Sequence, residues 1–166
     1  FGFMKWHDFD AELWEKVREE AIAQEQEFDY QIIGSDLSEN VVAIALENIM
    51  RAGVDEYIKI STRSFTKRKA PQGEGVVIIN PPYGERMKPA DIENFYKLIG
   101  DHLKQEFDGY DCWIISSNIN ALKRVGLRPT RRIALQNGAL DCKFMKYSMY
   151  KGSKKAKYMN QNQGTE

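Results

Sequence analysis

Apolar and polar positions alternate with two different periods along the 166 residues. Apolar residues three and four positions apart predict amphipathic helices, and Ser, Asp or Gly at the ends marks where such helices start and stop. Asp10 and Ser38 are predicted N-caps, and Gly53 is a predicted helix stop. The predicted helices span 10–21, 38–52, 91–107 and 120–125.

Short β-branched and aromatic runs between these segments predict strands. The runs are 31–36, 57–61, 76–79 and 112–115, followed by 131–136 and 139–147. Asn137-Gly138 joins the last two as an antiparallel hairpin. Val76-Val77-Ile78-Ile79 and the run from Cys112 are apolar throughout, which predicts strands buried on both faces. Alternating helices and strands that close in a hairpin predict an α/β fold with a mostly parallel sheet.

The turn Asn80-Pro81-Pro82-Tyr83 follows directly on the Val76–Ile79 strand. Two prolines cannot donate to a sheet and stiffen the exit from the strand. The turn therefore presents an amide, carbonyl oxygens and an aromatic ring at the edge where α/β proteins bind ligands. Oxygen acceptors suit the exocyclic amine of a base, which gains positive charge during methylation, and a Tyr ring can stack on a flipped base. A plain strand terminator is the structural alternative.

Asp36 ends the 31–36 strand and precedes the helix that Ser38 caps. An acidic residue at this position of a doubly wound sheet commonly accepts the hydroxyls of a ribose. Stabilisation of the helix N-terminus by the carboxylate is an equally good interpretation from local sequence alone. Together with Asn80 the binding interpretation is favoured, because both residues are predicted on the same carboxyl edge of one sheet, a nucleoside apart.

Composition excludes several classes of protein. No run of 18 apolar residues is present, so no membrane span is predicted, and the start at Phe1 lacks a signal-peptide layout and suggests a fragment of a longer protein. Cys112 and Cys142 lie in apolar runs without metal-ligand spacing, which is typical of reduced core cysteines in a cytoplasmic protein. His7 and His102 stand alone, so no metal site is predicted.

The net charge is zero but is unevenly distributed. Residues 1–30 contain three basic and nine acidic residues, whereas 121–157 contain eleven basic residues and one acid. Such asymmetry predicts a surface for nucleic-acid phosphates. For 151–157 a solvated tail is an equally good explanation, and 151–166 are predicted to be a basic, disordered tail after a domain spanning 1–150. The tentative RNA-binding residues are Arg86, Lys123, Arg124, Arg128, Arg131 and Arg132.

Four stretches resemble one family of enzymes: 9–14, 33–36, 80–86 and 137–142, which read FDAELW, IGSD, NPPYGER and NGALDC. The chain resembles the C-terminal part of THUMP-associated, class I S-adenosylmethionine-dependent RNA methyltransferases. More narrowly, it is similar to the bacterial 23S ribosomal RNA N2-guanine methyltransferases, which are often described as N6-adenine-specific DNA methylases. The resemblance implies a Rossmann-like sheet, S-adenosylmethionine as cofactor, ribosomal RNA as substrate and an upstream THUMP domain.

The resemblance also implies roles for individual residues. Asp36 would bind the cofactor ribose with Leu37 beside the adenine, and Ser64 and Phe65 would flank the adenine. Asn80 and the Pro81 carbonyl would hold the target amine. Pro82 is the next residue of the turn, and Tyr83 would stack on the base. Many relatives have an Asp near Ser64 to accept the adenine amino group, and Arg63-Ser64-Phe65 lacks it.

The family's first strand and its glycine-rich loop have no counterpart in residues 1–166. The chain alone is therefore expected to bind cofactor weakly or not at all. Two other functions remain open: an N6-adenine methyltransferase acting on DNA or RNA, which the turn permits equally, and a non-catalytic RNA-binding module.

Overall fold

The computed structural model describes residues 1–84 and 88–150 of the chain. Their helices and strands alternate as the sequence predicts, and the boundaries agree within a few residues. Two single 3-10 turns, Gly2–Lys5 and Phe65–Lys67, accompany them. In chain order the elements are α1 (Ala11–Ile22), β1 (Ile32–Asp36), α2 (Glu39–Ala52), β2 (Ile58–Thr62), β3 (Gly75–Ile79), α3 (Pro89–Glu106), β4 (Tyr110–Ser116), α4 (Ile119–Arg124), β5 (Arg131–Asn137) and β6 (Leu140–Ser148).

The chain divides into two compact units: the first consists of residues 1–34 and 38–61, and the second includes 35–37 at the end of β1. Strand β1 pairs with β2, and the bonds from Ile32 N–H to the Tyr57 carbonyl and from Arg63 N–H to the Asp36 carbonyl ascend together, so the strands are parallel. The predicted caps are confirmed: the Asp10 carboxylate accepts from Leu13 N–H at 2.9 Å and the Ser38 hydroxyl from Val41 N–H at 3.4 Å.

Helix α1 is confirmed as a helix, but apolar residues at its helical spacing are exposed. Leu13 is 58% exposed and Val17 47% exposed, and α1 has no buried residue. In α2 only Val42 is buried. Amphipathic spacing predicts which residues share a face, but it does not supply the surface against which that face packs.

The second unit contains a four-stranded sheet with the order β3-β4-β6-β5. Strand β3 is parallel to β4, β4 is antiparallel to β6, and β5 pairs with β6 through the predicted hairpin. Helices α3 and α4 cover one face of this sheet. Ile92, Ile99 and Leu103 of α3 and Leu122 of α4 are buried in the core with Ile114 of β4.

The prediction that β3 is buried on both faces is wrong for the described residues. Val77 and Ile79 pack against the core, whereas Val76 is 63% exposed and Ile78 70% exposed. Side chains along this edge strand alternate between the two faces of the sheet, and the helices cover only one of those faces. The same alternation leaves Trp113 of β4 only half buried.

Candidate active site

The turn after β3 lies at the carboxyl end of a strand that is parallel to β4, its partner among the described residues. Pro81 is buried, Pro82 and Asn80 are exposed, and Tyr83 is half buried. Gly84 follows with φ of 100°, a conformation that L side chains rarely adopt. The two prolines and this glycine together fix the direction in which the chain leaves the strand.

Three side chains meet at the tip of the turn. The Tyr83 hydroxyl donates to the Asn80 Oδ1 at 2.8 Å, and the Asn137 amide donates to the Tyr83 oxygen at 3.2 Å. Asn137 comes from the end of β5, so the hairpin reaches the turn across 54 residues of sequence. The predicted pair of an amide acceptor and an aromatic ring is thus brought together, with an amide side chain that the sequence identified only as a turn residue.

Burial raises the pKa of the Tyr83 phenol, and the hydrogen bond from Asn137 opposes that rise. The hydroxyl therefore stays protonated and remains a donor at physiological pH. The Asn80 Oδ1 already accepts a hydrogen bond from the Tyr83 hydroxyl. The same oxygen can accept an N–H or O–H donor of a ligand that approaches from the side of Tyr83.

Two carbonyls of the turn accept hydrogen bonds from side chains of α3 and of the residue that precedes α4. Tyr96 Oη donates to the Pro82 carbonyl at 3.2 Å, and Asn118 Nδ2 donates to the Tyr83 carbonyl at 2.9 Å. Sequence reasoning missed both residues. Asn118 could have been found, since an Asn between a strand and a short helix is a typical N-cap, but Tyr96 lies in a helical apolar pattern with nothing to distinguish it.

Asp36 ends β1, and its carbonyl accepts from the Arg63 N–H at 2.8 Å. This bond brings Asp36 next to the segment that contains Ser64. Leu37 is 73% exposed. The prediction that Asp36 and Asn80 share the edge of one sheet is wrong among the described residues, because β1 and β3 belong to separate sheets with no strand between them.

Ser64 and Phe65 begin the short turn after β2. The Ser64 hydroxyl is 2.9 Å from that of Thr66. The Phe65 ring is half buried and stacks on Phe107, with centroids 5.6 Å apart and an interplanar angle of 19°. His102 contacts both rings and bonds to the Arg68 carbonyl at 2.7 Å, so it has a structural role here.

The predicted RNA-binding residues that the structure describes are all exposed: Lys123, Arg124, Arg128, Arg131 and Arg132. Arg124 pairs with Glu93 at 2.7 Å, and its charge is partly compensated. Arg131 and Arg132 begin β5, and Arg131 lies opposite Lys146 of β6. Arg86 and the tail of residues 151–166 lie outside the described residues.

Other candidate chemistry is limited in the parts of the chain that the structure describes. Cys112 and Cys142 are both buried and unpaired, and no cluster of metal-ligating side chains is found at 1–84 or 88–150. Burial raises the pKa of the Cys112 thiol to about 12, so this residue is not a nucleophile. None of the described helices has the length and apolar character needed to cross a membrane.

Solved structures resemble this fold over most of the chain. A possible methylase from Clostridium difficile 630 shares 31% identity with a TM-score of 0.75, covering 91% of this chain and 40% of the other. SMU.472, whose crystal structure was determined with SAH, shares 26% identity with a TM-score of 0.76, covering 92% of this chain and 41% of the other. The fold and these likenesses define the class: the chain has the α/β fold of class I methyltransferases.

The family follows from sequence. The family model described as RMKL-like, methyltransferase domain matches residues 3–146, so the chain belongs to this family. It is 34% identical over 155 residues to the ribosomal RNA large subunit methyltransferase K/L of Shewanella sp. strain MR-4, covering 90% of this chain and 22% of that protein. The chain therefore spans less than half the length of this relative and of these two solved structures.

Proposed function

We propose that the chain is the base-binding part of an S-adenosylmethionine-dependent methyltransferase that methylates the N2 amine of guanine in 23S ribosomal RNA. The observation that carries this proposal is the Asn80–Tyr83 pair, in which an amide oxygen and an aromatic ring lie together on a stiff turn. The Tyr83 hydroxyl oxygen is 2.8 Å from the Asn80 Oδ1. A methyltransferase needs an acceptor for the target amine and a surface for the base, and this turn provides both.

In the proposed mechanism Asn80 Oδ1 takes an N–H of the target amine in place of the Tyr83 hydroxyl. The Pro81 carbonyl takes the second N–H, and no described residue of the chain donates to that carbonyl. Both oxygens stabilise the positive charge that develops on nitrogen, which is worth most where the acceptors are already fixed. The methylated amine is acidic and releases its proton to solvent, so the reaction needs no general base.

The cofactor portion of the proposal depends on Asp36 and on the segment from Arg63 to Phe65. S-adenosylmethionine supplies an electrophilic methyl group when it is bound. A carboxylate at the end of β1 suits ribose hydroxyls, and the half-buried Phe65 ring, held by stacking on Phe107, gives an apolar surface two residues after Arg63, which bonds to the Asp36 carbonyl. SMU.472 was solved with SAH, which supports this cofactor. The residues that are present thus fit the nucleoside end of the cofactor.

Ribosomal RNA as substrate is supported by the relative named ribosomal RNA large subunit methyltransferase K/L and by the basic residues at the start of β5. Exposed Arg131 and Arg132 give a phosphate-binding surface that contributes affinity without reading sequence. An upstream THUMP domain is the expected partner in RNA binding. The proposed location is the cytoplasm, where ribosomal RNA is modified in bacteria.

The test uses the complete gene product that includes residues 1–166. It is incubated with unmodified ribosomal RNA and S-adenosylmethionine, and modified nucleosides are identified by mass spectrometry. Asn80→Ala should lower the rate by about 100- to 1,000-fold, as loss of one fixed electrostatic group does in other enzymes. Asn94→Ala removes an exposed amide on α3 and is the matched control, with unchanged rate expected.

The product identifies the base. N2-methylguanosine that disappears in Asn80→Ala supports the proposal, and N6-methyladenosine would replace it with the adenine alternative. A rate that is equal in Asn80→Ala and the unaltered protein would remove the turn from the chemistry. If neither protein forms product but both bind RNA, the chain is a binding module.

A further inference from the structure

Two buried hydroxyl groups lie under the turn and have no part in the proposed chemistry. Tyr96 projects from α3, Ser116 ends β4, and both are 0% exposed. Their oxygen atoms are 2.7 Å apart. Ser116 is the single buried polar side chain other than tyrosine and cysteine in the parts of the chain the structure describes. Burying such groups costs free energy unless they are hydrogen-bonded, so their partners are informative.

The directions of these hydrogen bonds follow from counting protons. The Pro82 carbonyl can only accept, so Tyr96 donates its single proton to it at 3.2 Å. Ser116 must then donate to the Tyr96 oxygen, and the Ser116 oxygen accepts from the Asn118 N–H at 3.0 Å. The result is a directed chain of bonds from Asn118 through Ser116 and Tyr96 to Pro82. Each bond polarises the next one.

Asn118 also reaches the turn directly. Its Oδ1 accepts from Ala121 N–H at 2.9 Å and caps α4, and its Nδ2 donates to the Tyr83 carbonyl at 2.9 Å. The carboxamide is therefore fixed at both ends. One residue links the start of α4 to the carbonyl of the residue whose ring is proposed to stack on the base.

We propose that Tyr96, Ser116 and Asn118 are positioning residues that fix the carbonyls of Pro82 and Tyr83, and thereby the Asn80 amide and the Tyr83 ring, before the base arrives. This inference rests on the proposed methyl transfer at Asn80. Acceptors accelerate a reaction when they are already oriented, and a displacement of about 1 Å can cost about 100-fold in rate. None of the three residues needs to contact the base.

Tyr96→Phe removes the hydroxyl and retains the ring, and Tyr147→Phe is its matched control. Tyr147 is 1% exposed in the same core, and its hydroxyl donates to the Met145 sulfur and takes no part in the bonds described above. Tyr96→Phe should lower kcat by about 10- to 100-fold with the KM for RNA unchanged. Tyr147→Phe should leave kcat unchanged. A similar fall in kcat for both variants would mean a general effect on the core and would overturn the proposal.

Ser116 supplies a second, internal test. Ser116→Ala should reproduce the kcat loss of Tyr96→Phe, and Ser116→Thr, which keeps the hydroxyl, should restore most of the rate. The double variant Tyr96→Phe, Ser116→Ala should be about as slow as either single variant, because both changes interrupt one chain of bonds. Multiplied losses in the double variant would contradict that chain.

A measurement without catalysis separates this inference from the proposed function. The chain has five prolines, and proline labelled with carbon-13 at the carbonyl reports each of them by NMR. The Pro71 carbonyl accepts from the Tyr110 hydroxyl at 3.0 Å and is an internal reference. Tyr96→Phe in residues 1–166 should move the Pro82 signal to higher field and leave Pro71 in place. If no RNA is methylated but Pro82 moves, the proposed function fails and the positioning contact stands. An unmoved Pro82 signal overturns the positioning role itself.

Discussion

The ends of β1 and β3 present the two halves of the candidate site, and the chain supports them differently. The turn at Asn80 follows a strand of the four-stranded sheet and is held by side chains from α3, from the start of α4 and from β5. Asp36 ends a strand of a two-stranded sheet whose neighbouring helix α2 buries only Val42. The turn at Asn80 is thus supported by side chains from the buried core, whereas most of the strand that ends at Asp36 belongs to the other compact unit, in which α2 buries Val42.

This difference has a simple physical cause. A turn can be fixed to within fractions of an ångström only by groups that are themselves immobile, and burial is what immobilises them. Residues 62–150 supply such groups, since a single apolar core joins α3, α4 and β4. The comparison predicts that damage to this core affects the turn, while damage to α1 or α2 remains local.

The largest effect is expected where α3 and α4 approach each other most closely. A Cβ on Gly100 would lie 1.9 Å from the Val125 carbonyl oxygen, a backbone atom that cannot rotate away. Gly100→Ala should therefore separate the helices that carry Tyr96 and Asn118, at a cost of about 4 kcal/mol or more. Urea unfolding measures the loss. Gly2→Ala, where no atom lies within 4 Å of the added Cβ, is the control. A small change for Gly100→Ala would show that the two helices can separate without disturbing the core.

Alkaline pH tests the same core through its buried hydroxyl and thiol groups. Burial raises the pKa of Tyr96, Tyr147 and Cys112 to about 12, from ordinary values of 10.0 for the phenols and 9.0 for the thiol. The unfolded chain loses these protons first, so the folded state binds more protons and stability must fall as pH rises. The loss begins near pH 9 and continues to about pH 12. The two-unit difference of each tyrosine is worth about 3 kcal/mol, and the three-unit difference of Cys112 is worth about 4 kcal/mol.

Urea unfolding between pH 8 and pH 12 measures this loss. Tyr147→Phe removes one titrating group from the core and should make the fall with pH less steep. An equally steep fall in that variant would mean that the Tyr147 phenol titrates normally. Below pH 9 the variant should show only the loss of its hydrogen bond to Met145.

Sequence predicted the elements well because their signals are local. Caps, helical spacing and the Asn137-Gly138 turn depend on a few adjacent residues, and the structure confirms Asp10, Ser38 and the hairpin. The sequence also predicted that Asn80 and Tyr83 would act together, because a stiff turn keeps neighbours close. The two caps and the Asn80–Tyr83 bond each join residues three positions apart, so no knowledge of the tertiary fold was needed.

Long-range contacts were out of reach of this reasoning. Tyr96 meets Ser116 across 20 residues and Asn137 meets Tyr83 across 54, and neither pair has a signal in the local pattern. The predictions of buried residues failed for a related reason. An apolar face indicates that another element should pack on it, but it does not indicate which element does so. Val76 and Leu13 have the pattern of core residues, yet Val76 is 63% exposed and Leu13 58% exposed.

The smallest effect compares equivalent caps in the two regions. Asp10 caps α1 and Asn118 caps α4, each by accepting from a backbone N–H at 2.9 Å. Replacing either by Ala removes one capping bond, worth about 1 kcal/mol, and Asn118→Ala also removes the bond from its Nδ2 to the Tyr83 carbonyl. Because α1 buries no residue, Asp10→Ala should fray that helix and lower the helical circular dichroism signal without moving the main unfolding transition. Asn118→Ala should move the main transition to lower urea, because α4 carries the buried residues Ala121 and Leu122.

A shift of the main transition by Asp10→Ala would mean that α1 unfolds together with the core, and the two regions would then be one cooperative unit. If neither variant moves it, the start of α4 does not contribute to the stability of the core, and the support of the Asn80 turn would have to come from α3 and β5 alone.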